Sequence, residues 1–146
     1  MSKTFNIFIV ACAVLLAGCA ARGPLAARGP LAAAAGIYTE AQAMRGATLY
    51  AEQCASCHGE DMTGVADLFP ALTGDTFIMN WQGKSVGELF EKISTTMPGL
   101  DPGSLMPEQV ADLVAHTLSV SKYPAGTTEL ASAVEALKDI TIDAPQ

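Results

Sequence analysis

The stretch of sequence that decides the fold is Cys54-Ala-Ser-Cys57-His58. Two Cys at positions i and i+3 lie on one edge of a helical turn, at the separation of the two vinyl groups of a porphyrin. The adjacent His58 then reaches the iron, so this C-x-x-C-H pattern is typical of covalent haem attachment. A bare C-x-x-C also suits thioredoxin-like redox chemistry or half of a zinc site, but no βαβ pattern and no second thiol pair accompany it. The motif predicts one haem c, bound through two thioethers.

A second iron ligand has to come from farther along the chain. Met97 follows an amphipathic segment and precedes Pro98, which disfavours helical geometry, so Met97 is expected on a loop that can reach round the haem edge. Met106 also precedes a proline and remains a rival, although it occupies the expected N-cap of the last helix. An open sixth position, or ligation by His116, is also compatible with the sequence. The remaining methionines are not expected to ligate: Met62 lies too close to the attachment motif, and Met44 and Met79 are expected to fill the core.

The pattern around the motif is helical throughout. Thr39-x-x-Gln42 and Ser85-x-x-Glu88 are capping boxes that open two helices, and Pro107 suits the first turn of a third. A short helix is expected at 75–80, and no strand-like alternation of useful length occurs. The fold class is therefore all-α, with three to five short helices around one haem. Apolar or small residues at helical spacing mark the inner faces: Ala43, Ala47, Tyr50, Ala51 and Cys54; Val86, Leu89, Phe90 and Ile93; Val110, Leu113, Val114, Thr117 and Leu118.

The N-terminus has the features of an export signal of the lipoprotein type, residues 1–18. Lys3 supplies a positive start, and the 13 residues of 5–17 are almost wholly apolar, which is short of the roughly 20 that a transmembrane helix needs. Leu16-Ala-Gly-Cys19 resembles a lipobox, so Cys19 is predicted to carry a lipid after cleavage. Ordinary cleavage and an uncleaved anchor are the alternatives.

Residues 19–39 are predicted to form a flexible Gly/Pro/Ala tether behind the lipidated cysteine. The sequence Ala-Arg-Gly-Pro-Leu-Ala occurs at 21–26 and again at 27–32, and its Gly-Pro pairs interrupt helix and strand alike. The haem domain is expected to span 40–122. Residues 123–146 are then a C-terminal extension that packs on it.

The charge balance limits the choice of partners. The chain of 146 residues has 8 Lys and Arg against 15 Asp and Glu, a formal net charge of −7, which argues against a nucleic-acid partner. Residues 46–120 contain ten acidic residues, two Lys and no Arg. A partner protein with a basic rim is therefore expected, bound transiently and with rates that depend on salt.

From about residue 36 to 142 the chain resembles the class I c-type cytochromes, and more narrowly those that accompany quinoprotein (pyrroloquinoline quinone) dehydrogenases in bacteria. The resemblance implies that Met97 is the axial methionine and that the Pro70 carbonyl accepts a hydrogen bond from the ligating His58. It also places Trp81 near the haem, where its indole N–H donates to a propionate or the ring simply packs in the core. The segments that carry the resemblance are GIYTEAQAMRGATLYAEQCASCHG (36–59), FPALTGDTFIMNW (69–81), GELFEKISTTMPGLDPGSL (87–105), VADLVAHTL (110–118), YPAGTTEL (123–130) and ALKDI (136–140).

Two departures from the family pattern bear on the last helix. Leu105-Met106-Pro107 replaces a usual Leu-Ser-Asp/Thr, which weakens the N-cap and creates the Met106 ambiguity. His116 stands where an aromatic residue commonly packs between the terminal helices. Gly46 and Tyr50 are expected at the crossing of the first and last helices.

These observations predict a periplasmic one-electron carrier, not an enzyme, with both iron positions filled by protein ligands. The resemblance implies a quinoprotein dehydrogenase as donor, with a cytochrome or terminal oxidase as the expected acceptor. The lipobox predicts a lipid anchor in the membrane. Two different functions stay open. An open sixth position would suit a gas sensor or a peroxidase, and permanent association would make the domain a fixed electron-transfer subunit of a dehydrogenase complex.

Overall fold

The computed structural model describes residues 31–145. The predicted signal peptide 1–18, Cys19 and most of the repeated segment lie outside these residues. The described elements, in chain order, are β1 (Leu31–Ala32), a 3₁₀ turn (Ala33–Ala35), α1 (Glu40–Gln53), α2 (Ala55–His58), α3 (Gly74–Trp81), α4 (Val86–Thr96), α5 (Pro107–Val120), α6 (Val134–Leu137) and β2 (Ile140–Thr141). The all-α prediction is confirmed. The helices beyond the predicted number are α2 and α6, which are single turns too short to show a periodic pattern. Between residues 31 and 145, no helix is long and apolar enough to cross a bilayer.

The three main helices begin at the residues that the capping patterns predict. The Thr39 hydroxyl oxygen accepts the Gln42 backbone N–H at 3.1 Å. Ser85 and Glu88 form a complete capping box, in which each side chain accepts the backbone N–H of the other residue, at 3.1 and 2.7 Å. The hydrogen bond from the Ser85 backbone N–H also lowers the pKa of the Glu88 carboxyl. Helix α5 begins at Pro107, as its fixed φ favours.

Helices α1 and α5 cross in close contact at Gly46, as predicted. A Cβ atom at Gly46 would lie 1.9 Å from the Asp112 carbonyl oxygen, so only glycine allows this approach. Tyr50, one turn farther along α1, is buried in the same interface. At the rim of the crossing, Arg45 forms a bidentate pair with the Asp112 carboxylate and a third bond to Glu129, all at 2.9 Å. The crossing therefore fixes α1 and α5 relative to each other through protein contacts alone.

The buried apolar residues form two clusters. The main cluster fills the space between α1, α3, α4 and α5. The second cluster consists of Tyr50, Met62 and Leu113, with Cys54 and Ile93 packed against it, and it lies beside the attachment motif. Ile93 and Leu105 contact both clusters. Helical residues of the main cluster include Ala43, Phe77, Val86, Leu89, Phe90, Val110, Ala111, Val114, Ala115 and Leu118.

The predicted boundary between tether and domain at residue 39 is too late. Ala33 and Tyr38 are buried, and the Tyr38 hydroxyl donates to the Tyr123 carbonyl oxygen at 2.5 Å. The Gly126 N–H donates back to the Tyr38 carbonyl oxygen at 2.6 Å. Strand β1 pairs in parallel with β2 near the C-terminus. Residues 31–38 therefore pack as part of the domain, because the C-terminal segment supplies partners that a sequence pattern does not show.

The residues after 123 pack on the helices through a few apolar side chains. Leu130, Leu137, Ile140 and Ile142 are buried in the main cluster. Helix α6 approaches α4 closely at Gly87, which leaves room for the backbone of Leu137 and Lys138 at the C-terminal end of α6. The C-terminal segment thereby contributes part of the core itself.

Candidate functional site

The C-x-x-C-H motif is built on a tight turn between α1 and α2. The Cys54 N–H donates to the Tyr50 carbonyl oxygen at 2.9 Å, which ends α1. The N–H groups of Cys57 and His58 then both donate to the Cys54 carbonyl oxygen, at 3.1 and 3.0 Å. Both cysteines are half-buried. The turn thus presents two thiols and the following imidazole as one rigid unit.

The state of the Cys54 thiol argues against dithiol redox chemistry. Burial, with a smaller contribution from Cys57, raises the pKa of Cys54 to about 11. A thioredoxin-like nucleophile needs the opposite, a lowered pKa that yields a thiolate at neutral pH. Nor does the part of the chain from 31 to 145 hold a group of three or more His, Cys, Asp and Glu side chains arranged for a metal ion. The motif suits covalent attachment better than thioredoxin-like chemistry or a zinc site.

The His58 ring is buried and held from its far side. Its Nδ1 lies 2.9 Å from the Pro70 carbonyl oxygen, and because a carbonyl only accepts, Nδ1 carries the proton. Nε2 is therefore the nitrogen available to a metal, in a ring whose orientation is fixed by its hydrogen bond. The Phe69 ring packs against the imidazole, with centroids 6.0 Å apart. Pro70 lies where the resemblance places it, and the residues fit an iron ligand and its orienting partner.

The second cluster supplies an apolar wall beside the attachment turn. Met62 is 1 % exposed and has a positive φ of 62°, and its carbonyl oxygen accepts the Leu72 N–H at 2.8 Å. The buried Tyr50 donates its hydroxyl to the Gly59 carbonyl oxygen at 2.7 Å. A flat, apolar ring needs such a wall, so these contacts also fit a porphyrin. Nothing in the local sequence predicts the buried, left-handed conformation that makes Met62 a wall residue.

The two methionine candidates occupy different settings. Met97 directly follows α4 with extended backbone (φ −124°, ψ 152°), as Pro98 predicts, and is half-buried. Its N–H donates to the carbonyl oxygen of Ile93, a residue that packs against the second cluster. Met106 is exposed at the N-cap of α5, where its backbone N–H donates to the Gln109 side chain at 2.9 Å. Met97 therefore lies at the C-terminal end of α4, one turn after Ile93, which packs against the second cluster. Met106 lies at the start of α5.

His116 is a packing residue of the helix crossing. Its ring lies against Tyr50, with centroids 5.5 Å apart, in the role that the family pattern gives to an aromatic side chain. Burial lowers the pKa of His116, so its neutral form is favoured. These contacts place it in the α1–α5 interface.

Three further residues considered in the sequence, Trp81, Met44 and Met79, are not part of the attachment turn. Trp81, the last residue of α3, packs partly against the main cluster, and the Lys84 ammonium lies 5.0 Å from its ring centroid. It is not among the residues of the second cluster. Met44 and Met79 are exposed, so the expectation that they fill the core is wrong. Both lie on the outward faces of their helices, one residue away from a buried or half-buried neighbour.

Residues 41–116 match the family model described as cytochrome c oxidase, cbb3-type, subunit III. A comparison with curated proteins found no match. Among solved structures, one match is the sulfane dehydrogenase SoxCD from Paracoccus pantotrophus, at 22% sequence identity and a TM-score of 0.49. That alignment covers 54% of this chain and 43% of the other, less than half of its length. The family match spans more than half of this chain and includes the C-x-x-C-H motif, so the chain belongs to this cytochrome c family and is a class I c-type cytochrome, an electron-transfer protein.

Proposed function

We propose that the protein is a one-electron carrier with a single haem c, attached through Cys54 and Cys57 and ligated by His58 and Met97. The observation that carries the proposal is the His58 ring, which sits on the attachment turn with Nδ1 held 2.9 Å from the Pro70 carbonyl oxygen. When bound, a haem with two protein ligands supplies one-electron Fe(III)/Fe(II) chemistry without binding a substrate at the iron.

The chain's own residues do three things for this chemistry. The Pro70 carbonyl oxygen fixes the tautomer and orientation of His58 and increases its basicity as a ligand. The second cluster, which includes Met62, forms an apolar surface against which Cys54 packs. A thioether ligand from Met97 and apolar burial both favour the reduced state, so the potential should be well positive.

A quinoprotein dehydrogenase is the proposed electron donor, and a cytochrome or terminal oxidase is the proposed acceptor. The support is the resemblance carried by residues 95–105 and 123–130, together with the acidic surface of the domain. Excess negative charge steers a protein toward partners with basic rims. If the domain is instead a fixed subunit, it will stay with a dehydrogenase through purification at high salt, whereas a free carrier will separate.

The proposed location is the bacterial periplasm, with a lipid on Cys19. Proteins of the c-type cytochrome class are typically extracytoplasmic. The apolar segment at 5–17 and the lipobox at 16–19 support export followed by anchoring. The 11 residues between Cys19 and Leu31 span at most about 40 Å, so the domain would stay close to the membrane.

The test of the proposed function is a spectroelectrochemical titration of the haem-loaded protein. We expect a single one-electron transition, a Met–Fe(III) charge-transfer band at the red edge of the oxidised spectrum, and no binding of carbon monoxide to the reduced form. A high-spin oxidised spectrum together with carbon monoxide binding would reject the carrier and favour a sensor or peroxidase.

A further inference from the structure

His116 is a titratable side chain in the α1–α5 crossing that the proposed iron site does not use. It stands where the family pattern has an aromatic residue, and its ring packs on the Tyr50 ring with centroids 5.5 Å apart. The chain has two histidines, and the other, His58, is the predicted iron ligand. His116 is therefore the imidazole left to exchange a proton near neutral pH, where histidine ordinarily titrates.

Two contacts join His116 to the attachment turn. Tyr50, on which the imidazole packs, is 4 % exposed and donates its hydroxyl to the Gly59 carbonyl oxygen at 2.7 Å. Gly59 directly follows His58, and its N–H donates to the Ala55 carbonyl oxygen within the same turn, at 2.9 Å. One ring and one hydrogen bond thus connect His116 to the residue next to the predicted iron ligand.

The surroundings of Tyr50 are apolar. Tyr50 belongs to the second cluster, in which Met62 is 1 % and Leu113 3 % exposed, and Cys54 packs against this cluster. An apolar interior weakens the interaction between two charges much less than water and salt do. A positive charge that forms on His116 therefore acts on a positive charge at the attachment turn.

The imidazole of His116 also borders an open groove between α1 and α5. The groove runs along the first half of α1, whereas Cys54 follows the last residue of that helix, so a haem at the attachment turn leaves the groove open to solvent. Solvent can deliver a proton to the imidazole by this route. The lining residues are Glu40, Ala43, Met44, Ala47, His116 and Ser119.

Titratable and charged groups approach His116 from both helices. On α1, the Glu40 carboxylate lines the groove, and burial raises the pKa of Tyr50 to about 12, so that Tyr50 stays neutral. On α5, Asp112 lies one turn before His116, and Arg45 of α1 balances its carboxylate through two bonds at 2.9 Å. Burial lowers the pKa of His116, so its proton is taken up at mildly acidic pH.

We propose that His116 is a proton-linked group that tunes the redox site: its imidazole binds a proton more tightly in the reduced than in the oxidised protein, so the potential falls as the pH rises. The inference rests on the proposed one-electron function and adds a regulation of it. Oxidised iron carries one more positive charge than reduced iron, and like charges repel, so oxidation disfavours the imidazolium. On reduction the protein gains one electron from its donor, and the His116 ring binds part of one proton from solvent. Oxidation by the acceptor reverses both.

The experiment measures the potential of the haem-loaded protein between pH 5 and pH 8. We expect His116 to bind its proton about threefold more weakly in the oxidised protein, as for two partly screened charges. The potential should then fall by about 28 mV across the titration, at about 59 mV per tenfold for one electron. His116→Tyr keeps an aromatic ring on Tyr50 without a group that titrates in this range, and should lose this fall. The control Glu40→Gln should keep its size and move its midpoint to lower pH.

A second readout follows the imidazole itself. NMR titration of the His116 ring protons in the fully reduced and the fully oxidised wild-type protein should give the higher pKa in the reduced protein. Equal values in the two states, or an unchanged fall of the potential in His116→Tyr, would overturn this inference and leave the one-electron function intact. A wild-type protein without a reversible one-electron transition would instead overturn the proposed function, and the regulation with it.

Discussion

Gln42 is a buried polar side chain that joins α1 to the C-terminal segment. It is 2 % exposed, its amide nitrogen donates to the Leu130 carbonyl oxygen at 3.0 Å, and its amide oxygen accepts the Leu130 N–H at 2.7 Å. The capping pattern predicts that the Gln42 side chain accepts the Thr39 backbone N–H. Only the other bond of the capping box forms, from the Gln42 backbone N–H to the Thr39 hydroxyl oxygen. The amide instead satisfies a backbone 88 residues away, since a buried peptide group without a partner is costly.

Gln42→Ala should therefore destabilise the haem-loaded protein by about 2–4 kcal/mol, because it leaves a buried donor and a buried acceptor of Leu130 unsatisfied. Gln42→Glu should be intermediate, since a carboxylate accepts from the Leu130 N–H but cannot donate to its carbonyl oxygen. Urea unfolding followed by circular dichroism measures both. The control is Thr48→Ala on the exposed face of α1, expected within about 0.5 kcal/mol of wild type. Equal costs for Gln42→Ala and the control would show that the bonds to Leu130 contribute nothing.

The elements differ in how far their sequence predicts them. Helices α1, α4 and α5 begin where Thr39, Ser85 and Pro107 indicate, because a helix start depends on contacts within four residues. Residues 31–38 and the C-terminal segment are different. These two segments are held in place by each other, because β1 pairs with β2 although the strands lie far apart in the chain. The alanine-rich sequence shows no hydrophobic periodicity that would predict this pairing. The predicted tether is too long for this reason.

The close crossing of α1 and α5 depends on the absence of a side chain at Gly46. Gly46→Ala places a methyl group 1.9 Å from a backbone oxygen of α5, so the two helices must separate. We expect a loss of at least about 3 kcal/mol, at the upper end for overpacked cores. Thermal unfolding measures it, and Gly99→Ala is the control because no atom lies within 4 Å of a Cβ there. A stable Gly46→Ala protein with an unchanged melting temperature would mean that the crossing is looser than the structure has it.

At the scale of the whole molecule, the site is split between what is local in sequence and what is not. Cys54, Cys57 and His58 lie within five residues of the chain, so the haem-attachment motif could be recognised from their spacing alone. The role of Pro70 could be predicted only from the family resemblance. Every residue has a backbone carbonyl, so residue type does not show which one accepts the imidazole N–H. The burial of Met62 could not be predicted, since it is decided by the chain packed around this residue.

The proposed membrane anchor also concerns the whole chain. If Cys19 carries the proposed lipid, Cys19→Ser should move the cytochrome from the membrane fraction to the soluble periplasmic fraction without loss of haem, because the proposed lipid and haem attachments use separate cysteines. Fractionation with haem staining is the measurement, and Cys12→Ser, inside the predicted signal, is the control that should stay with the membrane. Labelled fatty acid remaining on the Cys19→Ser protein, or unchanged membrane attachment, would reject lipidation at this residue.

Ligation of the iron by His58 and Met97 can be tested by the oxidised absorption spectra of two single variants. Met97 is half-buried at the end of α4, and Met106 is exposed at the start of α5, so the two substitutions remove similar side chains from different settings. We predict that Met97→Ala loses the Met–Fe(III) charge-transfer band and its low-spin character, while Met106→Ala keeps both. Loss of the band in Met106→Ala and its survival in Met97→Ala would mean that Met106, and not Met97, ligates the iron.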